Sequence, residues 1–156
     1  MKSVYLVLDM QNDLVSEDGP NGKSPLGVQV KERGILDKTA KANGIFKLGT
    51  SGTEIHSKLG KQDSDWLVTK HRVSPFYSTD LETYLRVSGI ERIFCSGVST
   101  QAVVQATVRD GHDRDYAMVV LEDCCAAHSA EEHKSSIGSL GRFCTVTTSD
   151  QVDFGT

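Results

Sequence analysis

The sequence predicts an α/β fold in which a mainly parallel sheet is flanked by helices. Short apolar runs rich in β-branched residues alternate with segments that open on helix-capping sequences, which is the pattern of successive βαβ units. Polar or charged residues directly follow apolar runs, as they do where strands end at a binding edge. A chain of 156 residues favours a single domain, 1–156, with right-handed connections between its strands.

The first apolar run, Val4–Leu8, predicts a strand that is buried on both faces of the sheet. The run stops at the carboxylate of Asp9, and polar residues follow. Ligands of parallel α/β sheets bind beyond the carboxyl ends of the strands, so Asp9 stands where chemistry is expected. The alternative is a carboxylate that only ends a strand and caps a turn.

The stretch between residues 15 and 64 is the least regular part of the sequence. Residues 16–27 are rich in Gly, Pro, Asn and Ser and predict a surface loop. Residues 28–43 predict a short helix that Gly34 interrupts, and residues 45–52 predict another loop. Because the stretch contains no β-branched run, no buried strand is expected in it.

The second half of the sequence carries regular signals for both kinds of element. Helices are predicted by capping-box sequences at residues 51–54, 79–82 and 129–132, and by the apolar pattern of residues 100–110. Strands are predicted at residues 65–70, 92–98, 116–121 and 143–147. Gly60 and Gly89 are expected to end the first two of these helices.

Three of the predicted strand ends place polar groups at one edge of the sheet. Because all carboxyl ends of a parallel sheet lie at the same edge, Asp9, Lys70 and the turn 97–100 are expected to face one crevice. A carboxylate beside an ammonium is a plausible acid–base pair, and a helix starting at Thr100 would direct free N–H groups at an oxyanion. The alternative is a buried ion pair that only fixes the loops.

Composition and charge exclude several classes of function. The net charge of −4 provides no basic surface for nucleic acid, and no apolar run approaches the ~18 residues of a membrane span. Four cysteines without C-x-x-C spacing, and a first strand that follows almost directly on one lysine, favour a reduced cytoplasmic protein. The expected partner is a small-molecule substrate, with no nucleic acid and no membrane.

Four motifs, in their order along the chain, resemble those of the isochorismatase-like hydrolases. The motifs are Leu8-Asp9-Met10-Gln11-Asn12-Asp13-Leu14, Thr69-Lys70-His71-Arg72-Val73-Ser74-Pro75-Phe76, Ser96-Gly97-Val98-Ser99-Thr100 and Glu122-Asp123-Cys124-Cys125-Ala126-Ala127. This superfamily includes nicotinamidases, carbamoyl-amide hydrolases and isochorismatase itself. The resemblance implies a Rossmann-like three-layer sandwich, with Asp9 as the catalytic carboxylate and Lys70 as its basic partner.

The same resemblance implies further features of the site. It implies a cis peptide bond between Val98 and Ser99, and an oxyanion hole formed by the N–H groups of Ser99 and Val103. It also implies a homodimer or a larger homo-oligomer, since family members form such assemblies and closed symmetric assemblies are the norm.

The sequence departs from the family pattern at two places. The nucleophilic cysteine of the amidases lies six residues after the motif's glycine, and counting from Gly97 gives Val103, whose isopropyl group cannot attack a carbonyl. The family also places a helix and a strand between its Asp and Lys motifs, and the sequence shows no such unit between about residues 30 and 50. Either the protein has lost this unit or the sequence omits it, with residues 37–38 as the suspected joint. The nicotinamidase metal ligands belong to that stretch, so no metal and no cofactor are expected.

Further residues near the motifs are candidates for the substrate pocket or for the core. Gln11, His71, Phe76 and Tyr77 are pocket candidates, although Phe76 and Tyr77 could equally fill the core. The cysteines are expected to be packed, inert thiols: Cys95, Cys124, Cys125 and Cys144.

Three functions remain open from the sequence. The first is a small-molecule hydrolase in which Asp9 acts as general acid toward an enol ether, or as general base toward water attacking a carbonyl, while Lys70 holds Asp9 and the substrate. The second is a binding protein on a catalytically retired hydrolase scaffold. The third is an amidase with a relocated thiol, of which Cys95 is the nearest. A neighbouring ammonium lowers a carboxylate pKa and favours the base role, whereas burial raises that pKa and favours the acid role.

Overall fold

Four parallel strands form the centre of the protein, seen in a computed structural model that describes residues 1–18, 24–35 and 54–153. The strands are β1 (Ser3–Leu8), β2 (Arg92–Val98), β3 (Ala117–Ala126) and β4 (Thr145–Thr147). Their spatial order in the sheet is the same as their order in the sequence, and each neighbouring pair is parallel. The predicted α/β fold with a parallel sheet is therefore confirmed.

Helices occupy the connections between the strands. They are α1 (Asn12–Val15), α2 (Pro25–Glu32), α3 (Leu81–Val87), α4 (Gln105–His112) and α5 (Ala130–Leu140). A π-helical turn, Thr100–Val104, leads directly into α4, and short 3-10 turns cover Ser57–Leu59 and Ser149–Gln151. No helix among these described residues is both long and apolar enough to cross a membrane.

Side chains on the two faces of the sheet belong to two separate hydrophobic clusters. Leu6 and Leu8 of β1 lie in the larger cluster, together with residues of α3, α4 and α5. Val7, which points to the opposite face, lies in the smaller cluster with Leu26 and Val30 of α2. The sheet is thus covered by helices on both faces, which gives the three layers of a Rossmann-like sandwich.

Local capping explains where α3 and α5 begin and end. The Oγ of Ser129 accepts a hydrogen bond from the N–H of Glu132 at 3.1 Å, as the capping box predicts. Before α3, the Oγ1 of Thr79 accepts from the N–H of Leu81 at 3.2 Å. Gly89 follows α3 with a φ of +64°, a left-handed conformation that glycine adopts without steric cost.

The predicted strand at residues 65–70 is wrong, because this segment is not part of the sheet. A cleft of about 420 Å³ is lined by β1 and by residues 64–66 and 68. Within the described part of the chain, no strand lies beside this segment to pair with it. The side chains of Trp66 and Leu67 remain 40% and 38% exposed, and the Trp66 ring stacks on Tyr84 with centroids 5.5 Å apart. An apolar run therefore marks a surface segment here rather than a buried strand.

The last two strands differ from their predicted bounds for local reasons. β3 continues to Ala126 because its pairing with β2 shifts: Cys95 faces Val120, whereas Gly97 faces Cys125. β4 begins only at Thr145, since the N–H groups of residues 143 and 144 bond back to the carbonyl of Leu140 and extend the end of α5.

The first half contains a helix that begins earlier than predicted. Pro25 occupies the first position of α2, and the Oγ of Ser24 caps the helix by accepting from the N–H of Gly27 at 3.3 Å. The prediction of a surface loop at residues 16–27 is therefore wrong for residues 25–27, because proline and serine mark turns as well as helix starts. Most of the stretch at residues 30–50, the suspected joint at 37–38, the predicted loop 45–52 and the first three residues of the 51–54 capping box lie outside the described residues.

Candidate functional site

Asp9 and Lys70 form an ion pair at the carboxyl end of β1. The Nζ of Lys70 lies 2.7 Å from the Oδ2 of Asp9, and their side chains are only 13% and 18% exposed, respectively. Lys70 also donates to the carbonyl of Arg72 at 3.2 Å. Asp9 itself has a φ of +54°, so the backbone turns sharply where the strand ends. A largely buried carboxylate beside an ammonium is suited to proton transfer.

Burial and the neighbouring ammonium act on Asp9 in opposite directions. Removal from water raises the pKa of the carboxyl, whereas the hydrogen bond and the charge of Lys70 lower it. Burial is the larger effect, so the pKa of Asp9 lies above its usual range. Asp9 consequently keeps its proton to a higher pH than an exposed aspartate does.

Gly97 brings β2 close to the end of β1. A Cβ at this position would lie 2.1 Å from the carbonyl oxygen of Leu8, the residue before Asp9. Gly97 also has a φ of +130°, which residues with side chains rarely adopt. Only glycine permits this approach, and it places the turn after β2 beside the turn after β1.

The peptide bond between Val98 and Ser99 is cis. The carbonyl of Ser99 then accepts hydrogen bonds from three successive N–H groups, of which that of Val103 is the shortest at 2.9 Å. The N–H of Val103 is thus engaged in the helical turn, and an oxyanion bound there would have to share it with Ser99.

The side chain of Val103 is buried and belongs to the larger hydrophobic cluster, which also contains Leu8, Val68 and Phe76. This position, where the amidases of the resembling superfamily carry their cysteine, therefore presents hydrocarbon next to the end of β1. It contributes packing but no nucleophile.

The four pocket candidates lie in different environments. Phe76 is buried, stacks on Tyr116 with ring centroids 6.1 Å apart, and carries the guanidinium of Arg114 at 4.9 Å from its ring centre. Tyr77 is 61% exposed, and His71 is also exposed. Gln11 is half-buried and pairs through its backbone with Ile55. The structure thus packs Phe76 in the core and leaves His71 and Tyr77 at the surface.

Sequence reasoning missed a buried polar network that joins α2, α5 and the turn at Thr100. The Nδ1 of His133 lies 2.9 Å from the Oγ1 of Thr100, and its Nε2 lies 2.9 Å from the Nη2 of Arg33. Arg33 also donates to the carbonyls of Glu122 and Cys125, where the pairing of β3 shifts. The sequence did contain one signal: His133 shares a helical spacing with Ile137 and Leu140, so it falls on the inward face of α5.

The histidine in this network is held neutral. Burial and the adjacent charge of Arg33 lower the pKa of His133 to about 4. The side chains of Thr100 and His133 are both buried, so each depends on the other for its hydrogen bond.

The cysteines are free thiols in poorly reactive surroundings. Burial raises the pKa of Cys95 and Cys125 well above the usual range, and it raises the pKa of Cys144 to about 11. Cys95, Cys124 and Cys125 are fully buried. A relocated nucleophilic thiol at Cys95 is not supported, because a reactive thiol needs access and a lowered pKa.

Residues 1–18, 24–35 and 54–153 contain no group of three or more His, Cys, Asp or Glu side chains arranged as metal ligands.

Comparison with known proteins places the motifs in a family context. The model of the isochorismatase domain matches residues 26–151 of the chain. A protein from Arabidopsis thaliana, named as a probable inactive nicotinamidase, is 31% identical over 86% of this chain and 86% of its own length. The protein YecD of Escherichia coli O157:H7 is named as an uncharacterized isochorismatase family protein. It is 42% identical to this chain over 53% of this chain and 44% of its own length.

Two solved structures are similar to this chain over nearly its whole length. The isochorismatase-like hydrolase from Alkaliphilus metalliredigens superposes with a TM-score of 0.79 and 28% identity, covering 96% of this chain and 93% of that one. N-carbamoylsarcosine amidase from Thermoplasma acidophilum superposes with a TM-score of 0.71 at 24% identity, over 98% of this chain and 99% of that one, which shows a shared fold.

Proposed function

Because the chain belongs to the isochorismatase family, we propose that it is a small-molecule hydrolase that works without a covalent intermediate, with Asp9 as the proton-transferring residue. The 2.7 Å ion pair between Asp9 and Lys70 is the observation that carries this proposal. It supplies a carboxyl group and a neighbouring cation at the edge of the sheet where ligands of parallel α/β proteins bind.

Two features favour an enol ether over an amide as the substrate. Val103 cannot form an acyl intermediate, and an enol ether is cleaved without one. The raised pKa of Asp9 favours the protonated form, which is the form that a general acid requires. Lys70 orients the Asp9 carboxyl and offers a positive charge to an anionic group of the substrate.

The reaction begins with transfer of the Asp9 proton to the terminal carbon of the enol ether double bond. The electron pair of that double bond forms the new C–H bond, and the carbon bearing the ether oxygen becomes an oxocarbenium ion. Asp9, now ionised beside Lys70, takes a proton from the water that attacks this carbon. The hemiketal then breaks its bond to the ether oxygen. The hydroxyl proton of the hemiketal passes to that oxygen, which leaves as an alcohol, and a carbonyl compound remains; one water is consumed.

A general-base reaction on an amide-type bond is the second route open to the same pair. Ionised Asp9 would take a proton from the water that attacks the carbonyl, and the N–H of Ser99 would stabilise the developing oxyanion. The two routes differ in the pH at which they work, because the first needs Asp9 protonated and the second needs it ionised.

The test compares turnover of small vinyl ethers, amides and ureas by the wild type and the Asp9→Asn variant. We expect a vinyl ether to be cleaved, and Asp9→Asn to lower kcat by about 100-fold or more while the protein remains folded. Asp113→Asn, an exposed aspartate on the connection after α4, is the matched control and should retain wild-type kcat. Undiminished turnover by Asp9→Asn would overturn the mechanism.

A catalytically retired binding protein is the second candidate function. Val103 at the nucleophile position favours it, as does the similarity to a relative named as an inactive nicotinamidase. This function predicts that members of the same compound panel raise the melting temperature without forming product. Product formation that depends on Asp9 would exclude it.

A further inference from the structure

We propose that His133 is a positioning residue of the candidate site: its neutral ring, protonated at Nδ1, holds the hydroxyl of Thr100 at the start of the turn that follows the Val98–Ser99 bond. This inference rests on the proposed function, because it assigns His133 a role in shaping that same site. His133 lies outside the four sequence motifs.

The hydrogen-bond partners determine which ring nitrogen carries the proton. The Nη2 of Arg33 can only donate hydrogen bonds. The Nε2 of His133, which lies 2.9 Å away, must therefore accept one from it. In a neutral ring the proton is then on Nδ1, which donates to the Oγ1 of Thr100 at 2.9 Å. Arg33 thus selects the tautomer, and the tautomer fixes Thr100.

Arg33 is itself held in place by the backbone of β3. Its Nε donates to the carbonyl of Cys125 at 3.0 Å, and its Nη2 donates to that of Glu122 at 3.1 Å. These carbonyls belong to the part of β3 where pairing with β2 shifts between Cys95 and Gly97. The guanidinium therefore compensates for an irregularity in the sheet and presents the second N–H of its Nη2 to His133 in a defined direction.

Thr100 is the first residue of the turn in which the N–H groups of residues 102–104 donate to the carbonyl of Ser99. Its side chain is fully buried, and its partner His133 is 5% exposed, so neither can exchange its hydrogen bond for water. Fixing Thr100 fixes the orientation of the preceding peptide, which contains the backbone of Ser99. A shift of this peptide would move Ser99 relative to Asp9 without changing either side chain.

Charged residues from three elements line the cavity that His133 also lines. Glu32 and Arg33 come from α2 and the residue that follows it, Glu122 and Asp123 come from β3, and Lys134 comes from α5. Among these residues, Arg33 is the one whose hydrogen bond to the ring the structure describes. A proton on the Nε2 of His133 would point directly at the N–H groups of Arg33. Protonating His133 would therefore break the contact that selects the tautomer.

Two substitutions separate the two sides of the ring. His133→Asn places an amide N–H where Nδ1 donates to Thr100, and His133→Gln places an amide oxygen where Nε2 accepts from Arg33. If the Thr100 contact positions the site, Asn retains more activity than Gln: we expect kcat of Gln to fall about five- to tenfold below that of Asn, with KM changed less than about twofold. Equal kcat values, or a loss confined to KM, would overturn the proposal.

A spectroscopic measurement tests the role of His133 independently of the proposed function. Long-range ¹H–¹⁵N spectra of the labelled protein should show the His133 ring neutral and protonated at Nδ1 from pH 8 down to about pH 5, with the signal assigned by its loss in His133→Gln. Backbone amide signals of residues 99–102 should shift more in His133→Gln than in His133→Asn. His112→Gln, on an exposed histidine that packs against Phe143, is the matched control and should leave them unchanged.

The outcomes distinguish the two proposals. If no compound of the panel is turned over but the tautomer and the amide shifts are as expected, the proposed function fails and the positioning role of His133 stands. A ring protonated at Nε2, or amide shifts of equal size in both variants, would overturn the role of His133 whatever the activity.

Discussion

The Nζ of Lys70 lies 2.7 Å from the Oδ2 of Asp9, and both side chains are largely withdrawn from water. In this arrangement the ammonium favours the ionised carboxyl and burial favours the protonated one. The pKa of Asp9 is raised, so burial outweighs the attraction of the partner. The Asp9 carboxyl of this buried pair therefore takes up a proton more readily than the carboxyl of an exposed salt bridge would.

Replacing Lys70 by Met should raise the pKa of Asp9 further, because the two effects that lower it are both removed. If protonated Asp9 is the acid, kcat/KM falls as pH rises through its pKa, and this fall should move to higher pH in Lys70→Met. The absolute rate should drop about tenfold or more, since the variant also loses the group that orients Asp9. A pH–rate profile of both proteins provides the measurement.

Lys61→Met is the control for the loss of a positive charge, because Lys61 is exposed. Its profile should coincide with that of the wild type. A profile that rises with pH, rather than falls, would assign Asp9 the base role; a limb that moves to lower pH in Lys70→Met would contradict the coupling of the two residues.

The raised pKa of Asp9 also links stability to pH. Because the folded protein holds the Asp9 proton more tightly than the unfolded chain, the stability contributed by protonated Asp9 is full below pH 3.8 and is lost as pH rises through the folded-state pKa. Asp9→Asn has no carboxyl proton to lose, so the variant lacks this dependence on pH. The melting temperature of Asp9→Asn minus that of the wild type should therefore increase with pH across this interval. A constant difference would contradict the prediction.

Much of the fold could be predicted because local and long-range signals agree. The predicted strand at residues 92–98 matches β2 at both ends, and the capping box of Ser129 and Glu132 marks the start of α5. The apolar run at residues 4–8 likewise corresponds to β1. Residues 65–70 form the same kind of apolar run. An apolar run becomes a strand only where another strand lies beside it to pair with, and the periodicity of a sequence does not show which segments lie side by side.

The candidate site could be predicted only where it coincides with strand ends. The prediction that Asp9 and Lys70 face one crevice assumed that both follow parallel strands. Asp9 does follow β1, whereas residues 65–70 are not a strand, so Lys70 reaches Asp9 from a segment outside the sheet. The network of Arg33, Thr100 and His133 joins residues from separate elements, and no spacing in the sequence relates them. Such contacts depend on the packing of α2 and α5 against the sheet.

Gly97→Ala should lower the free energy of unfolding by about 2 kcal/mol or more. The new Cβ would overlap the carbonyl of Leu8, and the φ of +130° is strained for alanine. Gly138→Ala is the matched control: it lies within α5 with no atom within 4 Å of the added Cβ, and it should stabilise the protein by up to about 1 kcal/mol. Urea unfolding of both variants provides the comparison, and a Gly97→Ala protein as stable as the wild type would show that β1 and β2 do not need this close approach.

His133 should make the protein less stable in mild acid. The unfolded chain protonates this residue near pH 6.5, whereas the folded protein holds it neutral to about pH 4, so stability is full above 6.5 and falls as pH drops toward 4. The loss is at most about 3 kcal/mol over this range, at 1.36 kcal/mol per pKa unit. Because other groups titrate in the same range, the measurement is the difference in unfolding free energy between the wild type and His133→Gln at each pH. The difference should shrink as pH falls, whereas His112→Gln should show no such trend.

The four cysteines should differ in their reaction with iodoacetamide. Cys144 is half-buried with a pKa of about 11, so at pH 8 it contains roughly 100-fold less thiolate than a thiol with the reference pKa of 9.0. Cys95, Cys124 and Cys125 are fully buried and should react only after the protein unfolds. Mass spectrometry of the native protein should therefore find slow labelling at Cys144 first, and rapid labelling of all four in urea. Fast native labelling of Cys95 would mean that this thiol reaches the crevice, and it would restore the amidase with a relocated nucleophile as a candidate function.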